Sequence, residues 1–143
     1  MNTGTKTTVG VDACPVGWFA TIIDSDGVRT DTYEEFEELK ETYDSADQIL
    51  VDIPIGLPKD ERRRCDRDAR EWLGSRGLSV FYPPCQAVTE TDSYDEANTK
   101  HRDQIDHGLS QQAYSIREKI WEVATVVGEQ YDGLVRESHP ELC

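Results

Sequence analysis

Two aspartates stand where a charge is costly. Asp12 follows the β-branched and apolar run Thr7, Thr8, Val9 and Val11, and Asp52 follows Ile49, Leu50 and Val51. Both runs read as strands, and a carboxylate at the end of an apolar strand is expensive to bury unless it is paired or bound to a cation. Two such groups held together repel by ~4 kcal/mol at ~4 Å and an effective dielectric of ~20, so they call for a cation or a shared proton. Hard oxygen donors suit Mg²⁺ or Mn²⁺, and magnesium takes one or two protein carboxylates and completes its shell with water and substrate phosphates. With Glu141 arriving after a further strand, the three acids are the minimum set for phosphoryl-transfer chemistry in which metals activate water and stabilise the leaving oxygen.

Sulfur and imidazole offer less. The four cysteines, Cys14, Cys65, Cys85 and Cys143, include no C-x-x-C pair, which predicts reduced thiols and neither a zinc site nor a disulfide framework. His139 and Cys143 have loose metal-ligand spacing, but a single pair does not make a site. His101 and His107 fall in a strongly polar helical stretch and are expected on its surface.

The elements that must position the aspartates follow from pattern. Two apolar runs flank the Cys14-Pro15-Val16-Gly17 turn and predict a hairpin over Val9–Asp24. Asp26-Gly27 signals a tight turn into a third, more exposed strand, Val28–Thr32. Thr32 and Glu35 have capping-box spacing, opening a helix with Phe36, Leu39 and Tyr43 on one face. The run from Ile49 to Val51 then reads as a strand buried on both faces, stopped by Pro54 and Pro58. A helix between two strands is the crossover that parallel neighbours require, so Asp12 and Asp52 are expected at equivalent ends of adjacent parallel strands.

From Asp60 a helix is expected, with Cys65, Ala69, Trp72 and Leu73 on one face, Arg63, Arg67 and Arg70 nearly opposite, and Gly74 at its end. Six basic and five acidic residues between Lys59 and Glu71 make this the least acidic part of the chain, and arginines suit bidentate contact with phosphate. Arg76–Thr91 reads as a long ordered loop. Ser93 and Glu96 form a second capping box before a polar helix to about His107, closed by Gly108. A further helix from Ser110 carries Ile116, Ile120, Val123 and Val127 as its core stripe. Leu134–Glu137 should be a last strand.

At 143 residues one globular domain is expected. No run of 18 apolar residues and no basic-then-apolar start is present, so neither a membrane span nor a secretory signal is expected, and the expected compartment is the cytoplasm. Fifteen Lys and Arg against 29 Asp and Glu leave a formal charge of −14. Such an excess makes an acidic solvated surface that repels polyanions at low salt. At ~1 M salt the Debye length is only ~3 Å, so in a halophilic, high-salt cytoplasm a nucleic-acid partner remains compatible with this charge.

Taken together, VGVDACPVGW, VDIPIGLP, RRRCDRDAR, the Val80–Pro84 segment and SHPELC resemble domain-of-unknown-function family 429, the predicted RNase H-like nucleases. The resemblance runs from about Val9 to the last residue. It implies an α/β fold with an RNase H-like mixed sheet, three antiparallel strands then parallel ones, flanked by helices. It implies metal-binding and catalytic positions at Asp12 and Asp52, with Glu141 of the His-Pro-Glu motif as the third acid. Arg64, Asp66 and Arg70 would border the cleft and, with His139, contact substrate. Family members continue well beyond the His-Pro-Glu motif. One RNase H-like domain lacking its last strand extension and helix is therefore expected over residues 1–143, with an exposed apolar patch beside Leu134 and Val135 through which copies would self-associate.

The function expected is a metal-dependent nuclease using Mg²⁺ or Mn²⁺. A small-molecule phosphotransferase or phosphatase of the actin-like ATPase type is the alternative, disfavoured by a single glycine, Gly17, in the turn after Asp12, where a phosphate-gripping loop needs several. A non-catalytic binding module with a vestigial acidic cleft is the third reading.

Overall fold

The computed structural model describes residues 6–128 and 132–139. The chain divides into two compact units. One comprises residues up to Ile55 together with Glu122–His139, and the other is built on Gly56–Trp121.

The first unit is a five-stranded mixed sheet. Strands β1 (Thr8–Cys14), β2 (Gly17–Asp24) and β3 (Gly27–Tyr33) form an antiparallel meander; helix α1 (Phe36–Thr42) leads to β4 (Gln48–Val51), and β5 (Val135–Glu137) follows later in the chain. The order across the sheet is β3-β2-β1-β4-β5. β4 runs parallel to β1, pairing Thr8 with Gln48 and Val11 with Val51, and β5 runs parallel to β4, pairing Ile49 with Val135 and Val51 with Glu137. The expected adjacency of β1 and β4 is thus present, and the fold is α/β, consistent with an RNase H-like layout.

Alternation along the strands sets what each face carries. Val9, Val11, Ile49, Val51 and Val135 are buried, joined by Trp18, Ala20 and Ile22 from β2. Trp18 meets Phe36 of α1 edge to face, with ring centroids 5.2 Å apart. Leu50, expected to be as deeply buried as its neighbours, is half-buried, because β4 alternates where an unbroken apolar run would have two covered faces.

Two boundaries differ from the pattern. Thr32 does not cap α1: it pairs with Phe19 in the β2–β3 ladder, and β3 continues through Tyr33. The first helical amide, Phe36 N–H, donates to Glu122 Oε2 at 2.6 Å, and the Trp18 indole N–H donates to the same oxygen at 2.9 Å. A carboxylate from a distant helix therefore does the work expected of a local hydroxyl. The second difference is at β5. Val135 is buried and Leu134 half-buried, so these two residues form no exposed patch.

The second unit is helical. It holds α2 (Arg64–Leu73), two short 3-10 turns (Gly74–Ser79 and Gln86–Glu90) where one long loop was expected, α3 (Tyr94–Ile105), α4 (Gln111–Ser115) and the start of α5 (Arg117–Val127). α2 begins four residues later than the charge pattern from Asp60 suggests, and its buried side is Asp66, Ala69 and Leu73. Cys65 is exposed and Trp72 is 76% exposed. The helix is rotated from the all-apolar reading because an Arg63–Asp66 ion pair lets a charged residue face inward. Gly74 ends α2 as expected, at φ 56°. The Ser93 hydroxyl caps α3 by accepting from Glu96 N–H at 3.2 Å, and the helix closes at Asp106 in the left-handed region, two residues before the expected glycine. The helix expected from Ser110 breaks at Ile116 into α4 and α5, and of its predicted stripe Ile120 and Val123 are fully buried.

Candidate functional site

The parallel β1–β4 ladder stops where the two aspartates begin. Its last register pair is Val11 with Val51, and beyond it Asp52 N–H donates to the Val11 carbonyl at 3.1 Å. Because side chains alternate along a strand, buried Val11 and Val51 lie side by side on one face, and the residues that follow them, Asp12 and Asp52, come side by side at the carboxyl edge. Both are exposed to solvent. β1 itself continues to Cys14 in its pairing with β2, so Asp12 lies inside the hairpin and at the end of the parallel pair at once. Ligands in open α/β sheets bind at the carboxyl ends of the strands, and that is where these two acids fall.

The next strand supplies a carboxylate that the sequence reading passed over. Glu137, in register with Val51 on β5, accepts from Ile55 N–H at 2.9 Å through Oε2. Ser138 N–H in turn donates to the Val51 carbonyl at 2.8 Å. Glu137 thereby holds the segment that leaves β4 immediately after Asp52. The signal was present in the last strand's own sequence, Val135-Arg136-Glu137, but a glutamate on a short exposed strand has no pattern that separates a positioning role from a solvated one. Glu122 was missed for a related reason: it sits among apolar residues of α5, and only the tertiary fold brings Trp18 and Phe36 to it.

His139, half-buried, follows β5, and Glu141 and Cys143 lie outside the described residues. Among the described residues no three His, Cys, Asp or Glu side chains are grouped to hold a metal ion. Two neighbouring exposed aspartates still fit the donor set of Mg²⁺ or Mn²⁺, because magnesium is satisfied by one or two carboxylates and retains its waters.

The basic residues expected beside a cleft belong to the second unit. Arg64 is exposed and pairs loosely with Asp68 at 3.5 Å. Asp66 is only 5% exposed and is gripped by Arg63 through two contacts of 2.7 Å, a bidentate pair. Arg70 donates from Nε to the Val80 carbonyl at 2.7 Å and lies over the Tyr82 ring. Asp66 and Arg70 therefore shape α2 and the segment after it, whatever else they do. His101, expected on the surface, is 2% exposed, and its Nδ1 accepts from Cys85 N–H at 3.1 Å. Burial, with the nearby Arg62 charge and then His107, holds its pKa below the ordinary histidine value. Burial also pushes the Cys85 thiol up, away from the reactive thiolate.

Fold and edge define the class first: an α/β protein whose mixed sheet presents two acids at the carboxyl end of a parallel strand pair. Over residues 10–143 the chain matches the sequence model described as a protein of unknown function, DUF429, and it belongs to that family. No curated protein and no solved structure matches it. No helix among the described residues is long and apolar enough to cross a membrane.

Proposed function

We propose that this chain is a metal-dependent phosphodiesterase acting on nucleic acid, with Asp12 and Asp52 holding Mg²⁺ or Mn²⁺. The observation that carries the reading is the Asp52 N–H to Val11 carbonyl bond of 3.1 Å, which sets the two acids on neighbouring strands at the same level of the sheet. Their exposure supports it, since a metal that keeps several waters needs an open position for a substrate phosphate. When bound, the metal would lower the pKa of a coordinated water and stabilise charge on the leaving oxygen. The chain's own contribution is to fix the two carboxylates through the strand ladder and to pin the segment after Asp52 through Glu137. In this reading His139, which follows β5 in the same unit as the two aspartates, is a candidate for substrate contact.

The test is cleavage of labelled DNA and RNA by the purified chain with Mg²⁺ or Mn²⁺, at low and at multimolar salt, compared with Asp12→Asn. Metal-dependent cleavage lost in Asp12→Asn is the expected result. Absence of any cleavage by the wild type, together with no metal-dependent change in its thermal midpoint, would sink the reading for this chain.

A further inference from the structure

The second unit gathers two cations at one ring. Arg62, in the segment leading into α2, places its guanidinium carbon 3.8 Å from the centroid of the Tyr82 ring, and Arg70 places its own 4.3 Å from the same centroid. Two full positive charges therefore share one aromatic ring. The nearby acids are committed elsewhere: Asp66 to Arg63 in a bidentate pair, Asp68 to Arg64. Arg70 spends its Nε on the Val80 carbonyl, which fixes the guanidinium plane. Arg62 has a buried Nε with no hydrogen-bond partner among the described residues.

That combination is unusual on physical grounds. Buried donors in native proteins are almost always satisfied, and an orphaned charged donor costs more than an orphaned neutral one. In a chain with 29 acidic residues and 15 basic ones, acids are plentiful, yet no ion pair to Arg62 or Arg70 is formed among the described residues. The aromatic face attracts each guanidinium and orders it, but a ring quadrupole does not cancel two charges. Arg62, Arg70 and Tyr82 are half-buried, so the cluster is held in place and still open to solvent. Ordered, planar, partly desolvated guanidiniums are the groups best suited to an oxyanion with several acceptor oxygens.

We propose that Arg62 and Arg70, gathered at Tyr82, form a phosphate-binding site. The ligand group is a phosphate monoester, diester or free phosphate, and Arg62 is its principal donor. Arg70 is also expected to contact substrate in the nuclease reading, but phosphate binding here needs no metal, so the site is tested separately from Asp12 and Asp52.

The experiment is titration of the full chain in EDTA and low salt with two probes: inorganic phosphate by calorimetry, and a short fluorescent single-stranded oligonucleotide by anisotropy. Arg62→Gln should weaken binding about tenfold or more, as expected for a charge-assisted hydrogen bond. Arg62→Lys, which keeps the charge and loses the fork, should fall between, and Arg76→Gln, which removes an exposed charge from the 3-10 turn after α2, should bind as wild type. Binding of both probes assigns the site to phosphate groups generally, and binding of the oligonucleotide alone assigns it to the nucleic-acid backbone; either supports the proposal. Because Arg62 Nε has no hydrogen-bond partner among the described residues, Arg62→Gln should also melt within a few degrees of wild type. Failure of both probes to bind the wild type, equal binding by Arg62→Gln and Arg62→Lys, or a large loss of thermal stability in Arg62→Gln without phosphate binding by the wild type would overturn it.

Discussion

Asp52 N–H reaches the Val11 carbonyl at 3.1 Å, and this single bond makes Asp12 and Asp52 neighbours although 40 positions separate them in the chain. The bond continues the parallel ladder one step past Val51, where the chain leaves the sheet. Backbone hydrogen bonding thus sets the two residues level with one another at the edge of the sheet.

If the pair holds a divalent ion, metal should stabilise the wild type. At about 100 times the dissociation constant the gain is about 2.7 kcal/mol, and it should vanish in Asp12→Asn and in Asp52→Asn. Without metal, Asp12→Asn is expected to change stability by no more than about 0.5 kcal/mol, since it is an exposed site and the change removes a like charge from its neighbour. Thermal melts with and without Mn²⁺ read both quantities. A metal-independent loss of stability in both variants would instead mark the aspartates as structural.

Glu122 binds two elements at one oxygen, the Trp18 indole N–H and the Phe36 backbone N–H. Trp18 and Phe36 are fully buried, so Glu122→Ala leaves donors without an acceptor inside the first unit and should cost about 2–4 kcal/mol. Glu122→Gln keeps an acceptor oxygen while losing the charge that favours a helix N-terminus, and should cost about 1 kcal/mol. Urea denaturation followed by tryptophan fluorescence separates the two.

Gly17 lies at φ 138°, and a Cβ there would run into the carbonyl oxygens of Tyr33 and Glu34. Gly17→Ala should therefore destabilise the hairpin by about 2–3 kcal/mol through backbone strain and the clash together. A chemical melt showing an unchanged midpoint would mean that the β1–β2 turn can shift away from Tyr33 without cost.

His101 gives the fold a pH dependence with a definite sign. Burial, Arg62 and His107 depress its folded-state pKa, so the unfolded chain binds the proton more readily. Stability from this residue is fully present above the unfolded value of about 6.5 and is lost as pH falls below it toward the folded pKa. His101→Gln, which can still offer Cys85 N–H an acceptor, should remove that part of the decline between about pH 7 and pH 5. Denaturant midpoints measured across that range for both proteins give the comparison.

Local chemistry was enough to read much of this protein from its sequence. The Pro-Gly turn and the Asp26-Gly27 turn specify the meander, the apolar run at Ile49–Val51 specifies a strand, and the helix between makes that strand parallel to the first. Turn geometry and hydrophobic period are local, and the crossover they imply already predicts that Asp12 and Asp52 end adjacent parallel strands. The Ser93 cap was legible for the same reason, a hydroxyl three residues from the amide it serves. What escaped the sequence depends on partners far apart in it. Thr32 has the spacing of a cap but is held in the β3 ladder, and the acceptor for α1 comes from Glu122, 86 positions away from Phe36. His101 looks like a surface residue of a polar helix until the segment at Cys85 folds over it, and Asp66 looks solvated until Arg63 pairs with it and turns it inward. Periodicity records which face of a helix is apolar, but only tertiary structure decides which polar groups find the partners that let them be buried.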